Sequence, residues 1–323
     1  MLDEAALAAI EAALGEPIRE ISPVSPGRNN VVARVVLESR SVLAKRYFRH
    51  EGDRRDRLGT EFGMLTFLWR NGIRTVPEPL AAAPEAGVGI YELVDARRLQ
   101  PGEVTLDDGL QLADLLGRMS DLRGEPGAAE LPVASDAAFT LEAYLDGLDA
   151  RLNRLRAGDP AVRPFIEDEV APVLAAAREA LAGADLAAET PWRTPSPGDI
   201  GFHNALRRPD GSLVFVDFEY AGWDDAAHVI ASACLPPDVP LPERFHSDVV
   251  EALVERLGAD DGLAERVRLV FPLLALKWSL ILLNEFAPVA RERRSYAGAL
   301  PDGFADEQIE RSRRQLEVAR RLA

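Results

Sequence analysis

Several of the residues that usually announce a chemistry are scarce in this chain. One cysteine, Cys234, stands among 323 residues. An intrachain disulfide and a multi-cysteine metal site are therefore excluded. The four histidines, His50, His203, His228 and His246, are scattered, with no close pair at ligand spacing, so a zinc centre has no ligand set. No G-x-S-x-G elbow occurs, and a Ser-His-Asp hydrolase has no nucleophile to build on. Positive charge is short as well: the formal net charge is -16, which argues against broad binding to nucleic acid or anionic membrane. Lysine is nearly absent. Of 37 Lys+Arg residues only Lys45 and Lys277 are lysines, and a lysine that survives in an arginine-preferring chain marks a place where a compact ammonium is needed. No apolar run is long enough to span a bilayer. The longest, F-P-L-L-A-L-K-W-S-L-I-L-L-N-E-F, is broken by Lys277 and reads as a buried helix. The first residues, M-L-D-E-A-A-L-A-A-I-E-A-A-L, carry acids where a secretion signal needs cations, and read as a short amphipathic helix. The expectation is a soluble cytoplasmic protein without a nucleic-acid or membrane partner.

What the chain does have is enough apolar residue, 47%, to build a large core, and a length that favours two subdomains. Residues 16–48 read as strands: V-V-A-R-V-V-L is β-branched and S-V-L-A-K-R-Y-F alternates. A turn-rich stretch, S-P-V-S-P-G-R-N-N, precedes them. Residues 53–71 read as a helix, with Leu58, Phe62, Leu65 and Trp69 on one apolar face and Glu61 at its edge. Two further strands follow, around V-P-E-P-L-A-A-A-P and G-V-G-I-Y-E-L-V. From Asp95 onward helices dominate, the first capped by Thr105. The others fall at about 138–156, 161–182, 243–257, 262–287 and 304–322. The division expected is a mixed lobe over 1–94 and a mainly helical one over 95–323.

One segment interrupts the helices with strand character: P-G-D-I-G-F-H-N-A-L-R-R-P-D-G-S-L-V-F-V-D-F-E, residues 197–219. It sets Asp199, Asn204 and Asp217 around a loop and a hairpin whose turn is R-R-P-D-G-S. An Asp and an Asn offer the hard oxygen ligands that suit Mg²⁺. A carboxylate near a substrate hydroxyl can accept its hydrogen bond and its proton. Magnesium-nucleotide phosphoryl transfer needs both. Asp217, after V-F-V, would otherwise be a carboxylate left at the end of an apolar strand, which is costly without a cation or donors. Lys45 is placed to reach phosphates from its strand, and Glu61 to pair with its ammonium. His203 reads as packed or bonded to the loop backbone.

The pattern D-x-x-x-x-N, twelve residues, then D-F-E resembles the catalytic segment of the aminoglycoside phosphotransferase and choline kinase family, and V-D-F-E-Y-A-G-W is similar to the magnesium-binding segment of choline and ethanolamine kinases. The resemblance implies an α+β, bilobal protein-kinase-like fold with a small mixed sheet and a large helical lobe. By it Asp199 is the catalytic base, Asn204 and Asp217 are metal ligands, and Lys45 with Glu61 holds the phosphates. The backbone from Glu92 to Val94 is the hinge that receives the nucleotide base. Glu219, Asp224, Trp278 and Glu285 are placed as acceptor contacts, since late helices wall the acceptor pocket in that family. The activity implied is transfer of the γ-phosphoryl group of ATP or GTP, with Mg²⁺, to a hydroxyl of a sugar, amino alcohol, nucleoside or aminoglycoside-like acceptor. Two departures from the family pattern, Pro197 where a His is usual and a single glycine, Gly27, in the stretch expected to cover the phosphates, define the alternative: a kinase-fold protein that binds nucleotide or small molecule without phosphoryl transfer.

Overall fold

A computed structural model describes residues 2–24, 30–49, 55–184, 186, 192–258, 261–288 and 303–322. Gly27 and His50 lie outside them. The chain forms two compact units, Met1–Asp136 with Pro195–Trp223 and Ala137–Thr194 with Asp224–Ala323. The sheet expected within 1–94 falls wholly in the first unit, which also takes in the segment carrying Asp199 and Asp217.

The first unit opens with α1 (Glu4–Leu14), capped by Asp3, whose carboxylate accepts from Ala6 N–H, and closed by Gly15 in a left-handed conformation. Five strands follow: β1 (Glu20–Pro23), β2 (Val31–Val36), β3 (Ser41–Arg46), β4 (Pro79–Ala83) and β5 (Val88–Glu92), with α2 (Arg57–Arg70) between β3 and β4. They make one antiparallel sheet in the order β1-β2-β3-β5-β4. β1 lies within the 16–48 region expected to form strands and takes in Ser22 and Pro23, the start of the stretch expected to turn.

Strand periodicity sorts the side chains. Ala33, Val35, Val42, Ala44, Val88 and Ile90 form one buried cluster with Ala6 and Ile10 on α1 and Leu2 just before it. The residues between them turn to the other face, so Lys45 points away from that cluster, with Gly89 opposite it in the register. The helix α2 lies on the Lys45 side. Its buried face is Arg57, Leu58, Glu61, Met64, Leu65, Phe67 and Leu68. Glu61 is therefore on the face, not at its edge as the sequence suggested.

A two-residue strand, β6 (Arg97–Arg98), precedes α3 (Leu106–Asp121), where Thr105 and Asp108 form a reciprocal capping box. The strands β8 (Ala205–Arg207) and β9 (Leu213–Phe215) complete the unit as a hairpin, with β6 added at its edge. This hairpin is pinned at several points. Phe215 N–H donates to the Thr75 carbonyl at 2.9 Å, Leu213 N–H to Gln111 Oε1 at 2.8 Å, and Arg207 to the capping carboxylate of Asp108 at 2.5 Å.

The second unit is helical: α4 (Leu141–Arg156), α5 (Arg163–Phe165) running through a π turn into α6 (Ala171–Ala180), then α7 (Ala226–Cys234), α8 (His246–Leu257), α9 (Asp261–Leu282) and α10 (Phe304–Leu322). Strands β7 (Arg193–Ser196) and β10 (Gly222–Asp225) carry the chain across the unit boundaries. At its centre Arg266 bonds both oxygens of Asp225, which also accepts from the Tyr144 hydroxyl at 2.8 Å and caps α7. Among the described residues no helix is long and apolar enough to cross a membrane.

Candidate active site

The core of the site is the ammonium of Lys45, 6% exposed. Nζ donates to Glu61 Oε2 at 2.6 Å and to Asp217 Oδ1 at 2.5 Å. It lies 3.8 Å from Glu219 Oε2. Residues 16 and 172 positions away in sequence are thus brought onto one strand residue. Burial works against a charged amine, and the negative charges of Glu61, Asp217 and Glu219 outweigh it, so Lys45 is held above the ordinary lysine range. Burial pushes the Glu61 carboxyl up, against the pull of the Lys45 charge.

Two tyrosines that the sequence reading passed over support this pair. Tyr47 follows Lys45 by two residues and so shares its face of the strand. Its hydroxyl donates to Glu61 Oε2 at 2.7 Å and lies 2.7 Å from the Tyr91 hydroxyl. The Tyr91 ring lies over Gly89, where a Cβ would come within 2.4 Å of the Tyr91 oxygen. Glycine opposite Lys45 is what lets Tyr91 reach Tyr47.

Asp217 itself has φ 71, the one positive φ at a non-glycine position among the described residues. Backbone strain of this kind persists where the surroundings over-determine it. Two residues past β9 the chain leaves the extended path, and the Asp217 carboxylate turns to Lys45. It is the exposed member of the cluster, at 36% for its side chain, against 5% for Glu61 and 2% for Glu219.

The loop before β8 is tied to the same place. Val216 N–H donates to the Asn204 carbonyl at 2.8 Å, which sets Asn204 beside the Asp217 backbone. Asn204 Nδ2 donates to the Asp199 carbonyl at 3.1 Å. With its nitrogen so placed, the amide of Asn204 has its oxygen as the end available to a cation. Gly198, φ 81, allows the Tyr220 carbonyl to approach; a Cβ there would meet it at 2.3 Å.

Asp199 receives an imidazole after all, from His203, whose Nε2 is 3.2 Å from Asp199 Oδ1. The expectation that His203 would bond the loop backbone or simply pack is corrected by this contact. The 3-10 turn Phe202–Asn204 brings residue 203 back over residue 199. Burial raises the Asp199 pKa, but the hydrogen bond and charge of His203 and the contact with Asn204 win, and the carboxyl sits below the ordinary carboxylate range.

The other candidates separate. Glu92 ends β5, and its carboxylate accepts from Glu78 N–H at 3.2 Å; Val94 follows it in the connection to β6. Glu219 is turned inward and bonded to Arg57 and Asn30. Asp224 is fully buried; its oxygens bond Asp225 N–H and His228 Nδ1, both at 2.8 Å. Trp278 lies on α9 and Glu285 in the short turn after it, both in the second unit. The carboxylates of Glu61, Asp217 and Glu219 offer ligand atoms within 4.8 Å of one another.

A family model described as the phosphotransferase enzyme family matches residues 20–270. Among curated proteins none matches the sequence significantly. Solved structures do. A choline kinase from Streptococcus pneumoniae is similar at TM-score 0.63 and 13% identity, covering 96% of this chain and 97% of its own. A spectinomycin phosphotransferase solved with ADP and spectinomycin gives TM-score 0.63 and 12% identity over 98% and 97%. A choline/ethanolamine kinase family protein from Mesorhizobium loti gives TM-score 0.60 and 19% identity over 99% and 100%. These likenesses place the fold in the protein-kinase-like class. With the family model spanning the strand of Lys45, the helix of Glu61 and the whole segment from Asp199 to Asp225, the chain belongs to the phosphotransferase enzyme family.

Proposed function

We propose that this protein is a small-molecule kinase that moves the γ-phosphoryl group of ATP or GTP to a hydroxyl of a sugar, amino alcohol, nucleoside or aminoglycoside-like acceptor. The observation that carries the reading is the Lys45 ammonium bridging Glu61 and Asp217, with Asp199 and Asn204 joined to the Asp217 strand by hydrogen bonds. The ADP held by the spectinomycin phosphotransferase supports a nucleotide as the donor.

The donor set fits magnesium: Asp217 and Asn204 present hard oxygens on adjacent backbone, and Asp217 is the open member of its cluster. When bound, Mg²⁺ neutralises charge developing on the transferred group. The chain's own residues do the rest. Lys45, kept charged by its carboxylates, binds phosphate oxygens. Glu61, held by Tyr47, fixes the direction of that ammonium. Asp199, ionised at neutral pH and oriented by His203, accepts the hydrogen bond of the acceptor hydroxyl and takes its proton as the new O–P bond forms and the bond from the γ-phosphorus to the β-phosphate oxygen breaks, the nucleoside diphosphate leaving. Glu92 and Val94 offer the backbone that would receive the base.

Nucleotide consumption with magnesium and a panel of sugars, aminoglycosides, choline-like amines and nucleosides tests this. Asp199→Asn is expected to lower turnover about 10²- to 10⁴-fold with nucleotide binding retained. Asp217→Ala is expected to remove magnesium-dependent nucleotide binding. Full turnover by the first variant, or no acceptor-dependent consumption by the wild type across the panel, would overturn the reading.

A further inference from the structure

Two charged residues of the first unit occupy unfavourable places for which the proposed chemistry has no use. Arg57 is the first residue of α2, where the helix dipole disfavours a cation, and it is buried. Glu219, two residues past Asp217, is 2% exposed. Each answers the other: Arg57 Nη1 donates to Glu219 Oε1 at 2.9 Å. The second oxygen of Glu219 accepts from Asn30 Nδ2 at 2.6 Å, and Asn30 Oδ1 accepts from Phe48 N–H at 3.2 Å. The guanidinium groups of Arg55 and Arg57 stand 5.2 and 5.3 Å from the centre of the Tyr220 ring, within cation–π range. The N-terminus of α2 therefore grips both residues that follow Phe218.

Helical spacing closes the arrangement. Arg57 and Glu61 are four residues apart on the same buried face of α2. Glu61 binds Lys45, Lys45 binds Asp217, and Asp217 leads through Phe218 to Glu219, which binds Arg57. The ring holds three carboxylates against two cations. Lys45 is 2.6 Å from Glu61 but 3.8 Å from Glu219. Without Arg57, Glu219 would be a buried anion with its Asn30 hydrogen bond but no cation of its own beside Lys45, competing with Glu61 for the ammonium.

We infer that Arg57 and Glu219 form a latch that holds α2 against the Asp217–Tyr220 segment, so that Glu219 is a positioning residue acting through Lys45 and Glu61. This rests on the reading of Lys45 as the group that meets the nucleotide phosphates. The latch keeps Lys45 aimed by Glu61, and it keeps the carboxylate two residues after Asp217 from capturing it.

Lys45 and Lys277 are the only lysines in the chain, so amine acylation followed by peptide mass spectrometry reads the Lys45 ammonium with Lys277 as internal reference. Three proteins are compared with wild type: Arg57→Gln, Glu219→Gln, and the exchange of Arg57→Glu with Glu219→Arg, which also puts the anion at the favourable helix end. In wild type, magnesium-ATP is expected to slow labelling of Lys45 and leave Lys277 unchanged. Each single variant is expected to change the Lys45-to-Lys277 rate ratio several-fold, Glu219→Gln upward because a carboxylate beside the ammonium is lost and Arg57→Gln downward because Glu219 is left to hold it, and to raise the nucleotide KM about tenfold, with the acceptor KM unmoved. The exchange is expected to restore both. If ATP leaves wild-type Lys45 labelling unchanged, the reading of Lys45 fails and the latch as a device for nucleotide binding fails with it. If ATP protects Lys45 but the single variants leave the rate ratio unchanged, or speed both lysines together, the latch alone is overturned.

Discussion

Replacing Lys45 with methionine tests the electrostatics of the site apart from its chemistry. The two side chains are close in length, so the packing around Tyr47 and Gly89 is kept and mainly the charge is lost. Glu61, with 5% of its side chain exposed, is then a buried carboxylate left with the Tyr47 hydroxyl alone. Removing one partner of a buried ion pair costs about 3–5 kcal/mol. Protonation sets a ceiling on that cost. Taking a carboxyl of ordinary pKa, about 4.3, to the neutral form at pH 7 requires about 4 kcal/mol, at 1.36 kcal/mol per unit. At pH 5 the same step requires about 1 kcal/mol. Asp217, 36% exposed, keeps its water and adds little. The sign follows from linkage: in the variant the folded pKa of Glu61 lies above its unfolded value. Its contribution is fully present below the unfolded pKa and is lost as pH rises through the folded one. Urea unfolding of wild type and Lys45→Met, followed by tryptophan fluorescence, should therefore differ by up to about 4 kcal/mol near pH 7 and about 1 kcal/mol near pH 5. A difference that is the same at both pH values, or larger at the lower one, would refute the account of Glu61 as a buried anion held by Lys45.

Two other perturbations follow from the same reasoning. His203→Ala removes the hydrogen bond and charge that hold the Asp199 carboxyl low and leaves burial opposed by the Asn204 contact; the acid limb of the kcat/KM profile should move to higher pH, and a limb that stays in place would remove His203 from that role. In the wild type the depressed Asp199 contributes stability above its unfolded pKa and loses it as pH falls through the folded value. In the second unit, Asp225→Asn keeps the cap on α7 but strips the charge from beside Arg266, which is 3% exposed; unfolding should lose about 3–5 kcal/mol, and a loss under about 1 kcal/mol would show that Arg266 finds another partner.

The elements of the fold were legible wherever a local pattern carried them. The Thr105 cap and the paired strands around Lys45 depend on residues close in sequence, and they appear as the sequence suggested; on α2 Leu58 and Leu65 are buried as expected, while Glu61, Met64 and Leu68 take the buried places that the spacing gave to Phe62 and Trp69. Elements without such a pattern were missed. The strand β6 is two arginines long and exists because the edge of β8 offers it hydrogen bonds. The same is true of the site. The meeting of Lys45 with Glu61 and Asp217, and of Asn204 with the segment before Asp217, was suggested by residue type and interval, and hydrogen bonds join them. Tyr47 and Arg57 were not legible, although each carries a faint signal in its spacing from Lys45 or Glu61. A tyrosine two residues on from a strand lysine, or an arginine four before a helix glutamate, is ordinary until the third dimension supplies the partner.

The amino-acid order by itself determined the periodicities, the turns and the family pattern, because these are set by backbone geometry over a few residues. Tertiary structure alone decided which charges pair: that Asp217 has Lys45 for a cation, that Glu219 faces Arg57, that Asp224 is buried beside His228, and that His203 turns to Asp199. The reason is physical. Whether a buried charge is tolerable depends on what stands within a few ångströms of it, and contacts such as the one between Lys45 and Asp217, 172 residues apart, are fixed only by how the segments pack.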